Sequence, residues 1–353
     1  MTALLSIHST HRSLGITIVL VMAVLGLDIR SSSAQTDRLF PKDGEMVLGK
    51  IKNISKGGVI LTVAGKDQTF AAGTIEKILF QGDPAELTNG RESALDGQYE
   101  QAIGTLRTVD VGKLPRDVIK ADLQYYLTLA QAEQALAGRG DLSAAANAAL
   151  GFVRAQADSW RFYDIAKLLG DLAAATGNYD QALKYYAALA RAPSGEMKLR
   201  SVYESAIVKF AQGDFEAAKT AFEKVAGVKN VTSPEAVRLR NLSKAGLAAA
   251  SAQDGDVDAA KRLIDEMIET LDPADTEVAA RIYNAQGATM EAQGDDEGAV
   301  LAYLHTHLMF SSDAQSHVRA LKRLAELWAK VGKPDRAAQA RGELQQRYPG
   351  LSG

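Results

Sequence analysis

The chain has 353 residues, 46% of them apolar, and no cysteine, which excludes disulfides, thiolate metal sites and cysteine nucleophiles together. A formal net charge of −3 lacks the basic excess of a nucleic-acid binder. Aromatic content of 6% and only 8 prolines favour packed helices over a proline-punctuated all-β chain.

Residues 1–34 read as a signal peptide. His8, His11 and Arg12 precede an apolar run from Leu14 to Leu27, LGITIVLVMAVLGL, broken only by Thr17. The run is shorter than the roughly 20 residues that cross a bilayer and has the length of a signal-peptide core. Ser32-Ser33-Ala34 supplies small residues for cleavage before Gln35. The expectation is an exported chain, periplasmic or envelope-associated. The alternative is an uncleaved leader that anchors the N-terminus in the membrane.

Residues 35–82 have a different pattern. MVLGKIKNI (46–54), GGVILTV (57–63), DQTF (67–70) and TIEKILF (74–80) are short runs, mostly β-branched and apolar, separated by turn signals at 55–58, 64–67 and 72–73. In Lys50-Ile51-Lys52 the alternation points the lysines out and Ile51 in. Four or five such strands in so short a span predict a small β-barrel. The pattern G-x-I-x-x-I-S-x-x-G-V-x-L followed by I-x-x-I-x-F resembles SH3-like and Sm-like domains. The Sm-like resemblance implies RNA binding, which an exported chain disfavours, so an adaptor or docking role is expected.

Beyond Asp83-Pro84 the strands stop and helical periodicity begins, with Pro84 at a helix start. The phrase GNYDQAL (177–183) returns as GDFEAAK (213–219) and GDVDAAK (255–261). Aligned on its Ala, it places Gly97, Gly140, Gly177, Gly213, Gly255, Gly294 and Gly332 five residues before Ala102, Ala145, Ala182, Ala218, Ala260, Ala299 and Ala337. Twelve residues before the Ala stands Gly90, Gly170, Ala206, Ala248, Gly287 or Ala325, with Glu133 as the exception. Tyr99, Tyr179 and Phe215 follow their glycines by two.

This pattern resembles the tetratricopeptide repeat (TPR), with a small residue in helix A, a Gly-x-aromatic turn and Ala in helix B. The fold expected is mainly α, a solenoid of about seven TPR-like hairpins over residues 85–349 behind the small β domain. Each Gly stops helix A at positive φ. Asn178, Asp180, Asp214, Asp256, Asp258 and Asp335 are candidate caps for helix B. Successive Ala positions lie 36 to 43 residues apart rather than the family's 34. The chain stops soon after Pro349, so the last apolar face, Leu324, Trp328 and Leu344, is expected to be incompletely covered.

No catalytic motif stands out. Asp254-Gly255-Asp256-Val257-Asp258 lacks the Gly and Glu of an EF-hand and is accounted for by the repeat. His305 and His307, two apart on a helix with His317 nearby, point to different faces and make poor co-ligands, so inter-repeat or solvent contact is expected and no metal or cofactor. The TPR resemblance implies protein binding in a concave groove lined by helix A. In repeat register that groove includes Arg200, Tyr203, Glu204 and Ile207, then Arg281, Asn284, Arg319, Lys322, Arg323 and Glu326. Arg319, Lys322 and Arg323, beside Arg281 and Asn284, form a cluster suited to a C-terminal carboxylate or acidic segment, though a solvated charged face is the plainer reading. It does not reproduce the Lys/Asn clamp of chaperone-binding members. The functional expectation is a non-catalytic interaction scaffold of the envelope. The alternatives are a self-associating structural subunit and a ligand-binding module of an enzyme complex.

Overall fold

The computed structural model describes residues 36–351, so the leader and its cleavage site lie outside the described residues. Five strands come first: β1 (Asp37–Pro41), β2 (Val47–Ser55), β3 (Gly58–Val63), β4 (Lys66–Ala71) and β5 (Ile75–Leu79). They form one antiparallel sheet in the order β4-β3-β2-β1-β5. Strand β2 is shared along its length. Residues 47–49 pair with β1 and residues 50–55 with β3, with a register shift between Ile51 and Asn53 that bends the strand. Ala64 (φ 48°) and Gly65 (φ 81°) make the two-residue β3–β4 turn, whose positive φ angles match the twist of the strands it joins.

The strands do not have to supply a core by themselves. Leu39, Val59, Leu61, Ile75 and Ile78 are buried in one apolar cluster with Leu87, Leu106, Ile119 and Leu123 of the first helices. The sheet is thus one layer of a joint β/α core.

Fourteen helices follow as seven hairpins: α1 (Ala85–Leu95) with α2 (Tyr99–Leu106), α3 (Asp117–Leu136) with α4 (Leu142–Ala155), α5 (Phe162–Ala175) with α6 (Tyr179–Leu189), and α7 (Gly195–Ala211) with α8 (Phe215–Ala226). Then come α9 (Pro234–Gln253) with α10 (Val257–Glu269), α11 (Thr276–Ala292) with α12 (Asp296–Met309), and α13 (Ala314–Lys330) with α14 (Pro334–Arg347). The first helix of each hairpin ends the same way. A glycine takes φ between 74° and 91°, and the next N–H reaches back to a carbonyl in the last turn, as Asn178 does to Ala173 at 2.8 Å and Asp214 to Lys209 at 3.0 Å.

The second hairpin corrects the sequence register. Its stop is Gly138 (φ 74°), not Gly140, and Arg139 and Gly140 are an insertion in the turn. Counting seven back from Gly138, as from the other stops, reaches Gln131 between buried Ala130 and Ala132, so Glu133 no longer occupies the small-residue position. The cap assignments need a similar adjustment. Asn178, Asp214 and Asp256 cap their helices as expected, and Asp141 and Asp295 do so as well. Asp180, Asp258 and Asp335 lie inside the first turn, where they complement the helix dipole instead.

The small residues act as sockets. A Cβ on Gly90 would stand 2.5 Å from Leu106, one on Gly170 2.3 Å from Tyr186, and one on Gly287 2.6 Å from Tyr303. The bulky side chain lies four residues after the repeat Ala in each case, so the Ala and the socket together let the paired helices approach closely.

The last hairpin is better covered than its sequence suggests. Leu324 and Leu344 are buried and Trp328 is half-buried. Beyond α14 the chain reaches the second hairpin, where the Gly350 N–H donates to the Gly138 carbonyl at 3.1 Å and Leu351 lies over the same glycine. The superhelix therefore closes on itself.

Buried charge joins the sheet to the helices. Arg91, fully buried in α1, donates to Asp83 at 2.8 Å and to Asp122 of α3 at 2.7 Å. Arg161 donates to the Glu76 carbonyl of β5 at 2.8 Å and to the Tyr126 hydroxyl at 2.7 Å, and its guanidinium lies 3.7 Å from the Trp160 ring centroid. Replacing Arg91 with Met strands two buried carboxylates and is expected to cost about 3–5 kcal/mol in urea unfolding. In the same assay Gly177→Ala, forced to positive φ, costs about 1–2 kcal/mol. Gly104→Ala, in the interior of α2 with open space around it, stabilises by about 0.5–1 kcal/mol.

Candidate functional site

Inside the superhelix lies a partly open lumen of about 990 Å³. Its wall is built mainly from the first helix of successive hairpins, and Lys42 and Gly73 of the β module also reach it. The wall is charged but largely self-compensated. Lys167 pairs with Asp171 at 2.6 Å, Arg200 with Glu204 at 3.0 Å and with Glu235, and Arg238 with Asp275 at 3.1 Å and Glu277 at 2.5 Å. Glu133 of α3 is different: among the described residues no hydrogen bond or ion pair holds its carboxylate, and burial pushes its pKa up.

A side pocket of about 160 Å³ opens beside the lumen, with Tyr203, Ile207, Arg281 and Gln315 lining both. One wall is apolar, formed by Phe210, Phe222, Leu242 and Ala249. The polar wall holds two cations and several unsatisfied groups. The Arg319 guanidinium sits 5.2 Å from the Phe210 ring centroid, and among the described residues no hydrogen-bond acceptor or carboxylate pairs with it. Burial pulls its pKa down, and Arg281 adds to that repulsion. Arg281 reaches Gln315 at 3.4 Å and Glu277 at 3.9 Å, while its Nε has no partner. The hydroxyl of Tyr203, which is 2% exposed, has no partner. Asn284, 3% exposed, donates from Nδ2 to the Ser316 carbonyl at 3.0 Å and leaves its Oδ1 unpaired. Orphan buried groups are costly, and several converging on one pocket require a reason.

The structure brings together Tyr203, Arg281, Asn284 and Arg319 from three helices, α7, α11 and α13. Arg200 and Lys322 face the main lumen. Arg323 is a correction to the sequence-based cluster. It lies outside both cavities, bound to Glu291 of α11 through Nε at 3.0 Å and through Nη2, and also to Glu326. Glu291 in turn accepts from the Tyr303 hydroxyl at 2.7 Å, so Arg323 belongs to a structural network between hairpins. Glu133, Lys167, Arg238 and Glu277 of the lumen wall were missed, because repeat register alone does not say which face of a long first helix turns inward.

Arg319 and Arg200 differ in that one lacks a carboxylate partner among the described residues and the other is held by two. Arg319→Met removes a half-buried cation without a carboxylate partner and is expected to leave stability unchanged or raised. Arg200→Met, which strands Glu204 and Glu235, is expected to lower it by about 3 kcal/mol. Parallel urea titrations of the two variants read the difference.

No family model matches the chain, and no curated protein matches it. Solved structures do. A tetratricopeptide repeat protein from Parabacteroides merdae, 15% identical, aligns over 76% of this chain and 93% of its own with a TM-score of 0.51. Rap protein complexed with competence and sporulation factor, 13% identical, aligns over 76% of this chain and 75% of its own with a TM-score of 0.55. Such identities speak to the fold alone, and they agree with what the hairpin stops, sockets and repeat alanines show independently: the chain is a helical-repeat protein of the tetratricopeptide-repeat fold with a small β module at its N-terminal side.

Proposed function

We propose that the protein is a non-catalytic interaction scaffold that takes a segment of a partner chain into its lumen and seats a carboxylate of that segment in the side pocket. The observation that carries this is Arg319, a half-buried guanidinium with no anion among the described residues, facing a pocket that also holds Arg281 and the unpartnered Tyr203 hydroxyl. All three donate, which suits an incoming carboxylate. Asn284 Oδ1 accepts, which suits an N–H on the same ligand, and the Phe210, Phe222 and Leu242 wall suits an apolar side chain. A carboxylate, an amide N–H and an apolar side chain in one small volume describe the C-terminal residue of a peptide. The lumen is large enough to hold the residues before it. Rap, of the same fold, is solved with a bound factor, which supports a receptor role for an enclosed superhelix. The leader-like first 34 residues are the support for placing this activity in the cell envelope.

The test uses two probes that differ only at the carboxylate, N-acetyl-L-leucine and N-acetyl-L-leucinamide, and a pentapeptide ending in leucine with a free or an amidated terminus. Calorimetry is expected to show the free acid preferred by about tenfold or more in both pairs. Arg319→Gln should abolish the preference and Arg323→Gln should leave it intact. Equal binding of acid and amide overturns the carboxylate seat, and leucine binding without any gain from the longer peptide overturns the lumen reading.

A further inference from the structure

We propose that His307, His317 and Glu343 form a divalent-cation site of the zinc type that ties α12, α13 and α14 together where the superhelix closes. Their ligand atoms, one from each residue, lie within 4.8 Å of one another. His317 is fully buried, a setting that disfavours the imidazolium and keeps a nitrogen lone pair free. Its Nδ1 is engaged by the Tyr348 hydroxyl at 2.7 Å, which turns Nε2 toward His307 Nδ1, 2.8 Å away. An outer partner on one ring nitrogen, holding the other inward, is the arrangement that orients a ligating histidine.

The carboxylate completes the set without already being used by the imidazoles. Glu343 Oε2 stands 3.7 Å from His307 Nε2 and Oε1 stands 3.9 Å from His317 Nε2, both too long for hydrogen bonds. A tetrahedral ion bound at about 2.0–2.1 Å holds its ligands roughly 3.3 Å apart. With His307 Nδ1 and His317 Nε2 as the ligating nitrogens, the gap from His317 Nε2 to Glu343 Oε1 needs to close by about 0.6 Å and the histidine pair to open by about 0.5 Å. Arg347 donates to Glu343 Oε1 at 3.1 Å, which leaves a second lone pair on that oxygen for the ion. Two imidazoles and one carboxylate suit zinc and related first-row ions, not calcium or magnesium, which favour oxygen ligands. His305 takes no part, since it stacks on Tyr283 with ring centroids 4.5 Å apart. A cation here departs from the sequence expectation of no metal at these histidines: the partner of His307 comes not from its own helix but from the next.

The consequence is local stiffening with a long reach. Tyr348, hydrogen-bonded to His317, also packs on Gly138, where the last hairpin meets the second. Metal bound at these three residues fixes the end of α14 and with it the closure around the lumen.

Calorimetric titration of the chelator-stripped full chain with zinc chloride, alongside melting with and without zinc, tests this. Zinc is expected to bind saturably with micromolar or tighter affinity and to raise the melting temperature, with no comparable response to calcium. His307→Gln and Glu343→Gln, both at partly exposed positions that tolerate the change, should each weaken binding at least tenfold and remove the melting shift. Absence of saturable binding to the folded parent chain overturns the proposal. So does binding that persists unchanged in both variants, which would place the metal elsewhere, for example on His8 and His11.

Discussion

The helical region depends on one backbone constraint repeated seven times, a glycine at positive φ that ends the first helix of each hairpin. The reversal sets the two helices antiparallel at short range. It then delivers a bulky side chain of the second helix into a glycine socket of a neighbouring one, as with Tyr186 on Gly170 and Tyr303 on Gly287. Because every hairpin is built alike, the small rotation from one to the next accumulates into a superhelix. Seven such steps bring residues 348–351 back to the Gly138 turn, and the inner wall lines a central cavity that stays partly open to solvent.

The β module makes the start of this spiral rigid. Its sheet contributes Leu39, Val59 and Ile78 to the core of the first hairpins, and buried Arg91 and Arg161 link strand ends to α1, α3 and α5, each through at least two hydrogen-bonded acceptors while one guanidinium nitrogen stays unpaired. Arg91 and Arg161 are buried and meet acceptors on several sides, whereas Arg319 is half-buried and meets an aromatic face. A well-compensated buried cation is part of the fold. An unpaired one costs stability that an incoming anion would restore, and the proposed ligand role of the side pocket rests on this contrast.

Much of this was legible in the chain. The hairpin number, the helix stops, the repeat alanines and the socket positions all follow from residues whose role is local, a φ angle or a missing Cβ. Repeat register also singles out Tyr203, Arg281, Asn284 and Arg319, which line one side pocket in the structure. The errors have local causes too. Gly140 displaced Gly138 because an alignment anchored on Ala145 counts through a turn with two extra residues. Arg323 was grouped with Arg319 because positions four apart share a helix face, yet that face is wide enough for Arg319 to meet α7 and Arg323 to meet Glu291 of α11. What left no trace in sequence is long-range: the contact of Gly350 with Gly138, the meeting of His307 with His317 and Glu343, and the isolation of Glu133 depend on cumulative superhelical geometry.

Closure is the claim on which lumen and site rest, and the absence of native cysteine makes it directly measurable. A double variant, Arg139→Cys with Gly350→Cys, treated with a short bismaleimide at low protein concentration, reports whether the last hairpin lies against the second in solution. The structure predicts rapid bridging within a single chain, without added partner, while each single variant stays unbridged. Failure to bridge in a folded double variant, or bridging only between chains, would contradict a superhelix closed around its own lumen.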